Sequence, residues 1–298
     1  MPLERLPLER PPLVSGLLDA RCARALSTVA MTMPRPWKPA PLIRLSAALH
    51  AAAAAGMLLR PETWPWAAGA LVANHGLLTA AGLSPRSRLL GPNWTRLPPP
   101  AIARHEIALT IDDGPDPEVT PRVLDLLDER HVRATFFVIG RLVRRHRALA
   151  GEIVARGHAL ENHSEHHRKT FSLHGPRWLE REIRAAQQTI AEVSGVAPCF
   201  FRAPAGLRNP FLEPVLARLD LQLASWTRRA FDTRNGDAGA VANALRKDLS
   251  AGDILLLHDG NAARSPHGTP VILAALPRLL DSIKEAGLTP VTLDTARR

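Results

Sequence analysis

Asp112 and Asp113 stand at the end of a short apolar run, Ile107-Ala-Leu-Thr-Ile111. Gly114-Pro115 follow directly, and fifty residues on comes His163-Ser-Glu-His-His167. Two imidazoles and one carboxylate are a ligand set for a divalent metal of the zinc type, and a catalytic site keeps a position open for water. Asp113, His163 and His167 would complete that set. Asp112 would stay uncoordinated, placed to take a proton from a water activated there. Histidines at i and i+4 share one face if the segment is helical, which suits a common metal. His166 is an alternative ligand with a less favourable spacing to His163. Asp-Asp-Gly-Pro is also a common turn sequence, but a buried strand running straight into two acids is costly unless they find partners.

Such residues need a scaffold that delivers them to one place. From about His105 to the C-terminus, apolar or β-branched runs at 107–111, 134–138, 158–161, 199–202, 221–226, 253–257 and 289–293 predict seven strands. Helix-like stretches at 121–130, 141–156, 177–193, 209–218, 238–249 and 271–286 separate most of them. Alternating strands and helices place the chain in the α/β class with a parallel sheet. Seven strands in so short a span suit a closed or nearly closed barrel. Asp112, Asp113, His163, Arg202, Trp226 and His258 all fall at or just past the C-terminal end of an expected strand, the rim where parallel barrels build sites.

With 46% hydrophobic residues among 298, the chain can bury a sizeable core. Its two cysteines cannot make a disulfide framework. The net charge of +10 is uneven, because residues 1–100 carry eleven Lys plus Arg against four acids. The surplus therefore lies outside the expected barrel. Only 4 of the 38 basic residues are Lys, there is no Tyr, and no nucleic-acid motif accompanies the charge, so nucleic acid is not an expected partner.

Residues 1–40, with a repeated Pro-Leu-Glu-Arg and scattered arginines, read as a poorly ordered tail, in which Met31 or Met33 is a candidate alternative start. Residues 41–83 hold two membrane-length apolar segments, 42–59 and 64–83, and read as a transmembrane helical hairpin. Arg44 and His50 interrupt the first segment, and Trp64 and Trp66 fall where an interfacial aromatic belt would. Arg35, Lys38 and Arg44 precede the first segment or begin it, while Arg86, Arg88 and Arg96 follow the second. By the positive-inside rule both ends face the cytoplasm. Residues 84–104, rich in proline, read as a linker, and 105–298 as the catalytic barrel.

The order of these motifs resembles the polysaccharide deacetylase family, carbohydrate esterase family 4, over about residues 105 to 295. The resemblance implies a distorted seven-stranded (β/α) barrel that hydrolyses N-acetyl or related amides on sugars. Thr110-Ile-Asp-Asp-Gly-Pro115 looks like the first family motif, implying Asp112 as general base and Asp113 as metal ligand. His163-Ser-Glu-His-His167 looks like the second, implying His163 and His167 as the other ligands. Arg202-Ala-Pro-Ala-Gly206 looks like the third, implying that Arg202 orients the base and that the Ala205 backbone N–H is the oxyanion donor. Leu255-Leu-Leu-His258 looks like the last, implying His258 as general acid, with Leu255 and Leu257 lining the acyl pocket. Asp232 would pair with His258, and Trp226 would be a packing residue or pocket wall. The sequence departs from the pattern at Ala205, where an aromatic is usual, at Thr233, where a Trp is usual, and at Arg229, which replaces an acid. These departures alter the pocket more than the chemistry.

The reading is a metal-dependent hydrolase of non-peptide carbon–nitrogen bonds that N-deacetylates an amino-sugar polysaccharide or lipid-linked glycan. Two imidazoles and a carboxylate suit Zn²⁺, with Co²⁺ or Ni²⁺ as alternatives. The hairpin would associate it with a membrane, the catalytic domain on the cytoplasmic face. The rival readings are a degenerate barrel that binds metal and sugar without turnover, and a deformylase or amidase acting on a non-acetyl group. No Gly-x-Ser-x-Gly elbow surrounds Ser164 or Ser225, so covalent catalysis is not indicated.

Overall fold

A computed structural model describes residues 35–298, so most of the expected tail and both candidate alternative starts lie outside the described residues. The chain opens with helices α1 (Pro41–Leu59) and α2 (Trp64–Leu83), followed by the short α3 (Pro99–Ala103). The next elements are β1 (Glu106–Asp112), α4 (Thr120–Asp128), β2 (Thr135–Val138), α5 (Gly140–Arg145), α6 (Arg147–Ala155) and β3 (Ala159–Asn162). After α7 (Pro176–Ser194) come β4 (Phe200–Phe201), α8 (Leu212–Arg218), β5 (Gln222–Leu223), β6 (Arg228–Arg229) and α9 (Ala238–Arg246). The chain ends with β7 (Ile254–His258), α10 (Val271–Glu285), β8 (Thr289–Val291) and α11 (Leu293–Ala296).

The strands form one parallel sheet in the order β5-β4-β3-β2-β1-β7-β6, with β8 pairing the first half of β1. All seven expected strands are present, and β6 is an addition. The two edge strands, β5 and β6, are only four residues apart in the chain, so the sheet must curl until its edges meet. Residues 94–97 close that seam. Trp94 exchanges backbone hydrogen bonds with Leu223 and Ser225, Thr227 Oγ1 donates to the Thr95 carbonyl, and the Leu97 N–H donates to Gly252 O. The expected linker, 84–104, is thus packed structure here, with Leu90 and Leu97 buried.

Strand parity divides the core. Ile107, Leu109 and Ile111 of β1, with Leu255 and Leu257 of β7, face outward under α4, α9 and α10. Ala108, Phe137, Phe200 and Ile254 fill the barrel floor, against Leu97, Leu293 and Ala296. Helix α10 shows why this packing forms: Val271, Ile272, Ala275, Leu276, Leu279 and Ile283 recur at helical spacing and are all buried. Above the apolar floor, the same interior face of the strands carries Thr110, Asp112, Arg202, His163 and His258.

Helices α1 and α2 pair with each other, burying Ser46 and Asn74 between them while His50 and His75 stay exposed. Asn74 Nδ2 donates to Ser46 Oγ at 2.9 Å, and the Nε2 atoms of His50 and His75 lie 3.3 Å apart. Leu58, Leu59, Trp66 and Val72 are exposed on the outside. Of the two expected spans, only Pro41–Leu59 is long and apolar enough to cross a membrane by length and composition; Asn74 and His75 lower the hydropathy of the second. The pair is tied to the barrel at its base. Arg208 N–H donates to Gly82 O at 3.1 Å, and the Arg35 guanidinium bonds Glu213 at 2.5 Å.

Candidate active site

Strand β1 is buried along its whole length at the centre of the sheet, and its last residue, Asp112, points into the barrel. Asp113 follows with φ +76°, which turns its carboxylate toward the same cavity. Two adjacent acids, which on a regular strand would point to opposite faces, thereby meet different partners in one site. Gly260 makes room for that turn, since a Cβ there would lie 2.3 Å from the Asp113 carbonyl oxygen.

Asp112 Oδ1 accepts from Arg202 Nη1 at 2.6 Å. Arg202 is itself fully buried, and the same nitrogen donates to Thr110 Oγ1, while Nη2 donates to the Ser225 carbonyl and the guanidinium covers the Phe137 ring at 4.0 Å. Burial pulls the Arg202 pKa down, opposed by Asp112. Arg202 thus links β4 to β1 and to the seam, and holds one carboxylate oxygen of Asp112 in place.

Asp113 Oδ1 lies 3.4 Å from His163 Nε2 and 3.2 Å from His167 Nε2, buried and without a hydrogen-bond partner of its own. His163 Nδ1 is 2.8 Å from the Arg202 carbonyl, which can only accept, so Nδ1 carries the proton and Nε2 presents a lone pair. Burial, with His163 nearby, pushes the His167 imidazole down to about 4, leaving it neutral at physiological pH. A buried carboxylate oxygen without a hydrogen-bond partner, facing the Nε2 atoms of two imidazoles, fits a divalent cation. The three ligand atoms lie within 4.8 Å of one another.

Histidine spacing works here through a bend rather than the expected helical turn. Ser164 and His167 both have positive φ, Ser164 N–H donates to Asn162 Oδ1, and Ser164 Oγ accepts from His167 N–H at 3.0 Å. His166, the alternative ligand, turns away and bonds Glu182 at 3.1 Å.

On the opposite wall, His258 Nδ1 is 2.9 Å from Asp232 Oδ1, and the His258 N–H donates to Asp232 Oδ2 at 2.7 Å. Burial alone would lower this imidazole, but Asp232, helped by Asp112 and Asp113, raises its pKa above the ordinary value. If protonated His258 serves as the acid, Asp232→Asn should move the alkaline limb of the kcat/KM profile to lower pH. At pH 8 activity should fall by at least about tenfold. An unchanged alkaline limb would remove His258 from that role.

Asp112, Asp113, His163, His167, Ala205, Trp226 and His258 all line one cavity of about 580 Å³. Ala205 sits there with φ 55°. Leu255 and Leu257 do not reach it: strand alternation turns them into the outer core, and Leu256, between them, lines the cavity. Since His258 faces the site, period two alone places Leu256 beside it. Asn261 was also not foreseen; its Nδ2 donates to Asp113 Oδ2 at 3.2 Å. Asp259, left out of the expected set, accepts from Thr120 Oγ1 and from Gly260 N–H, and burial lifts its carboxyl to about 7.

Comparison with known proteins agrees with this geometry. Residues 102–224 match the model of the polysaccharide deacetylase family. A peptidoglycan-N-acetylglucosamine deacetylase from Bacillus cereus is 34% identical over 194 residues, which cover 64% of this chain and 88% of the relative. A chitooligosaccharide deacetylase from Sinorhizobium fredii is 33% identical, over 61% of this chain and 86% of the relative. Among solved structures, the family 4 carbohydrate esterase from Streptomyces lividans, in complex with acetate, superposes with a TM-score of 0.57 at 30% identity. That match covers 64% of this chain and 95% of the esterase.

Proposed function

Since the chain belongs to the polysaccharide deacetylase family, an enzyme family whose chemistry fits the cavity, we propose that it hydrolyses the acetamide of an amino sugar carried on a membrane lipid. A divalent cation held by Asp113, His163 and His167, with zinc the best match and cobalt or nickel alternatives, would lower the pKa of a water and polarise the acyl carbonyl. Asp112, fixed by Arg202, accepts the proton of the attacking water. The Ala205 N–H donates to the developing oxyanion, a contribution worth about 3–4 kcal/mol in comparable sites. His258, kept protonated by Asp232, then donates a proton to the leaving nitrogen, because an amine is too basic to leave as its anion. Leu256 and Trp226 border the space for the acyl group.

The observation that carries this reading is the division of labour between adjacent carboxylates. Asp112 is bonded to a buried arginine, while Oδ1 of Asp113 has no hydrogen-bond partner and faces the Nε2 atoms of His163 and His167. A barrel that had kept metal and sugar affinity alone would have no need to preserve the Arg202–Asp112 and Asp232–His258 pairs. A formyl or other small acyl group remains the rival substrate, since Ala205 and Thr233 replace aromatic side chains.

The lipid carrier is supported by where α1 and α2 stand. A Cβ on Gly206 would lie 2.6 Å from the Trp226 ring and 2.7 Å from Pro85, two residues beyond α2. Arg86 Nη1 also donates to Thr227 O at 3.1 Å. The base of an apolar helix pair thus touches the wall of the cavity, and in a membrane-anchored protein the cavity would open close to the lipid surface. The flanking arginines favour the cytoplasmic face.

Membrane vesicles carrying the full chain and an N-acetylated lipid-linked amino sugar test both statements. Acetate should appear outside inverted vesicles and stop on adding an impermeant chelator. Acetate confined to right-side-out vesicles would reverse the face, and its absence from both would remove the proposed substrate.

A further inference from the structure

The cavity is lined by four cationic side chains, Arg141, Lys169, Arg229 and Arg234, and by no acid other than Asp112 and Asp113. Asp112 is paired with Arg202, and Asp113 is turned toward His163 and His167. Among the described residues none of the four cations has a carboxylate partner, whereas nearby Arg144 is tied to Glu165. The four arise from chain segments at β2, β3 and β6, so they converge on the mouth through the fold rather than through one basic run.

Arg229 is the best defined. Its Cζ lies 5.3 Å from the centroid of the Trp226 ring and 4.8 Å from that of the Phe231 ring, so two aromatic faces flank the cation. Its Nε is buried without a hydrogen-bond partner. A desolvated donor left unmatched is costly, and a planar guanidinium fork is suited to two oxygens of a phosphate or carboxylate. A neutral chain of acetylated sugars offers hydroxyls and amides, which leave this charge uncompensated.

We propose that the mouth of the cavity is an anion subsite centred on Arg229 and supported by Arg141, Lys169 and Arg234. It recognises a phosphate or carboxylate carried by the substrate beside the acetamido sugar. This deepens the proposed deacetylation, on which it rests. Phosphate would come from a sugar–lipid linkage and carboxylate from an acidic residue within a polymer.

The test compares acetate release by the full chain from three N-acetylated substrates: a neutral oligosaccharide, its 1-phosphate, and one with a neighbouring uronate. At low ionic strength kcat/KM for one anionic substrate should exceed the neutral one by at least about tenfold, corresponding to about 1.4 kcal/mol. The advantage should shrink as salt shortens the screening length. Arg229→Gln and Lys169→Gln should each lower the anionic-to-neutral ratio several-fold, mainly through KM. Preference for phosphate or for uronate identifies the source, and either supports the subsite. Equal use of all three, insensitivity to salt, or an unchanged ratio in the variants would overturn it. Should no substrate release acetate, the deacetylation itself fails. Calorimetry with N-acetylglucosamine 1-phosphate then decides the subsite separately: binding that Arg229→Gln abolishes supports it, and no binding overturns it.

Discussion

Replacing Asp112 by Asn is expected to lower kcat by roughly 10²–10⁴ while leaving the metal ligands untouched. Asn keeps the shape of the side chain, and its Oδ1 can still accept from Arg202 Nη1, so the local architecture has a reason to persist. What Asn lacks is a basic lone pair able to take a proton from water. Asp112 Oδ2 is 3.8 Å from His163 Nε2, beyond hydrogen-bonding distance, whereas Asp113 Oδ1 lies nearer, at 3.4 Å from His163 Nε2 and 3.2 Å from His167 Nε2. The loss should therefore be confined to turnover, with KM nearly unchanged. Activity within about threefold of wild type would show that another group accepts the proton.

Arg202→Met is expected to be the most destabilising single change in the site. It removes a fully buried guanidinium and leaves Asp112 as an uncompensated buried charge, a loss of about 3–5 kcal/mol in comparable cases. The Ser225 and Ala224 carbonyls lose a donor at the same time, where the edges of the sheet meet. For a domain of this size the midpoint of thermal unfolding should fall by roughly 10 °C, read by calorimetry on the full chain. A change of less than about 2 °C would mean that Arg202 serves only the chemistry and that the seam holds without it.

The parts of this architecture legible in the sequence were those encoded by period and spacing. Seven apolar runs announced the strands, and the polar residues at their ends announced the rim. Strand β6 escaped because Arg228–Arg229 has no apolar signal; it is held by Arg228 Nε, which bonds buried Asp253 at 2.6 Å. That ion pair joins residues 25 positions apart and leaves no local trace. Leu255 and Leu257 were placed on the wrong face although period two, anchored by His258, would have chosen Leu256. The histidine pair was foreseen, but through a helical turn, because the positive φ values of Ser164 and His167 are not written in their residue types. Proline-rich 84–104 reads as a spacer, yet its residues 94–97 close the seam between β5 and β6, a role that depends wholly on partners distant in the chain. The convergence of Arg141, Lys169, Arg229 and Arg234 is likewise a property of the folded barrel.

The most direct test of the central claim, that one carboxylate of the adjacent pair holds a cation while the other stays free, is the number of zinc ions bound per chain after metal removal and equilibrium dialysis. Wild type and Asp112→Asn should each retain one, and Asp113→Asn and His163→Gln should retain none under the same conditions. If Asp112→Asn loses the ion while Asp113→Asn keeps it, the two carboxylates have been assigned the wrong way round. If none of the four binds zinc, cobalt or nickel, the metal site itself is contradicted.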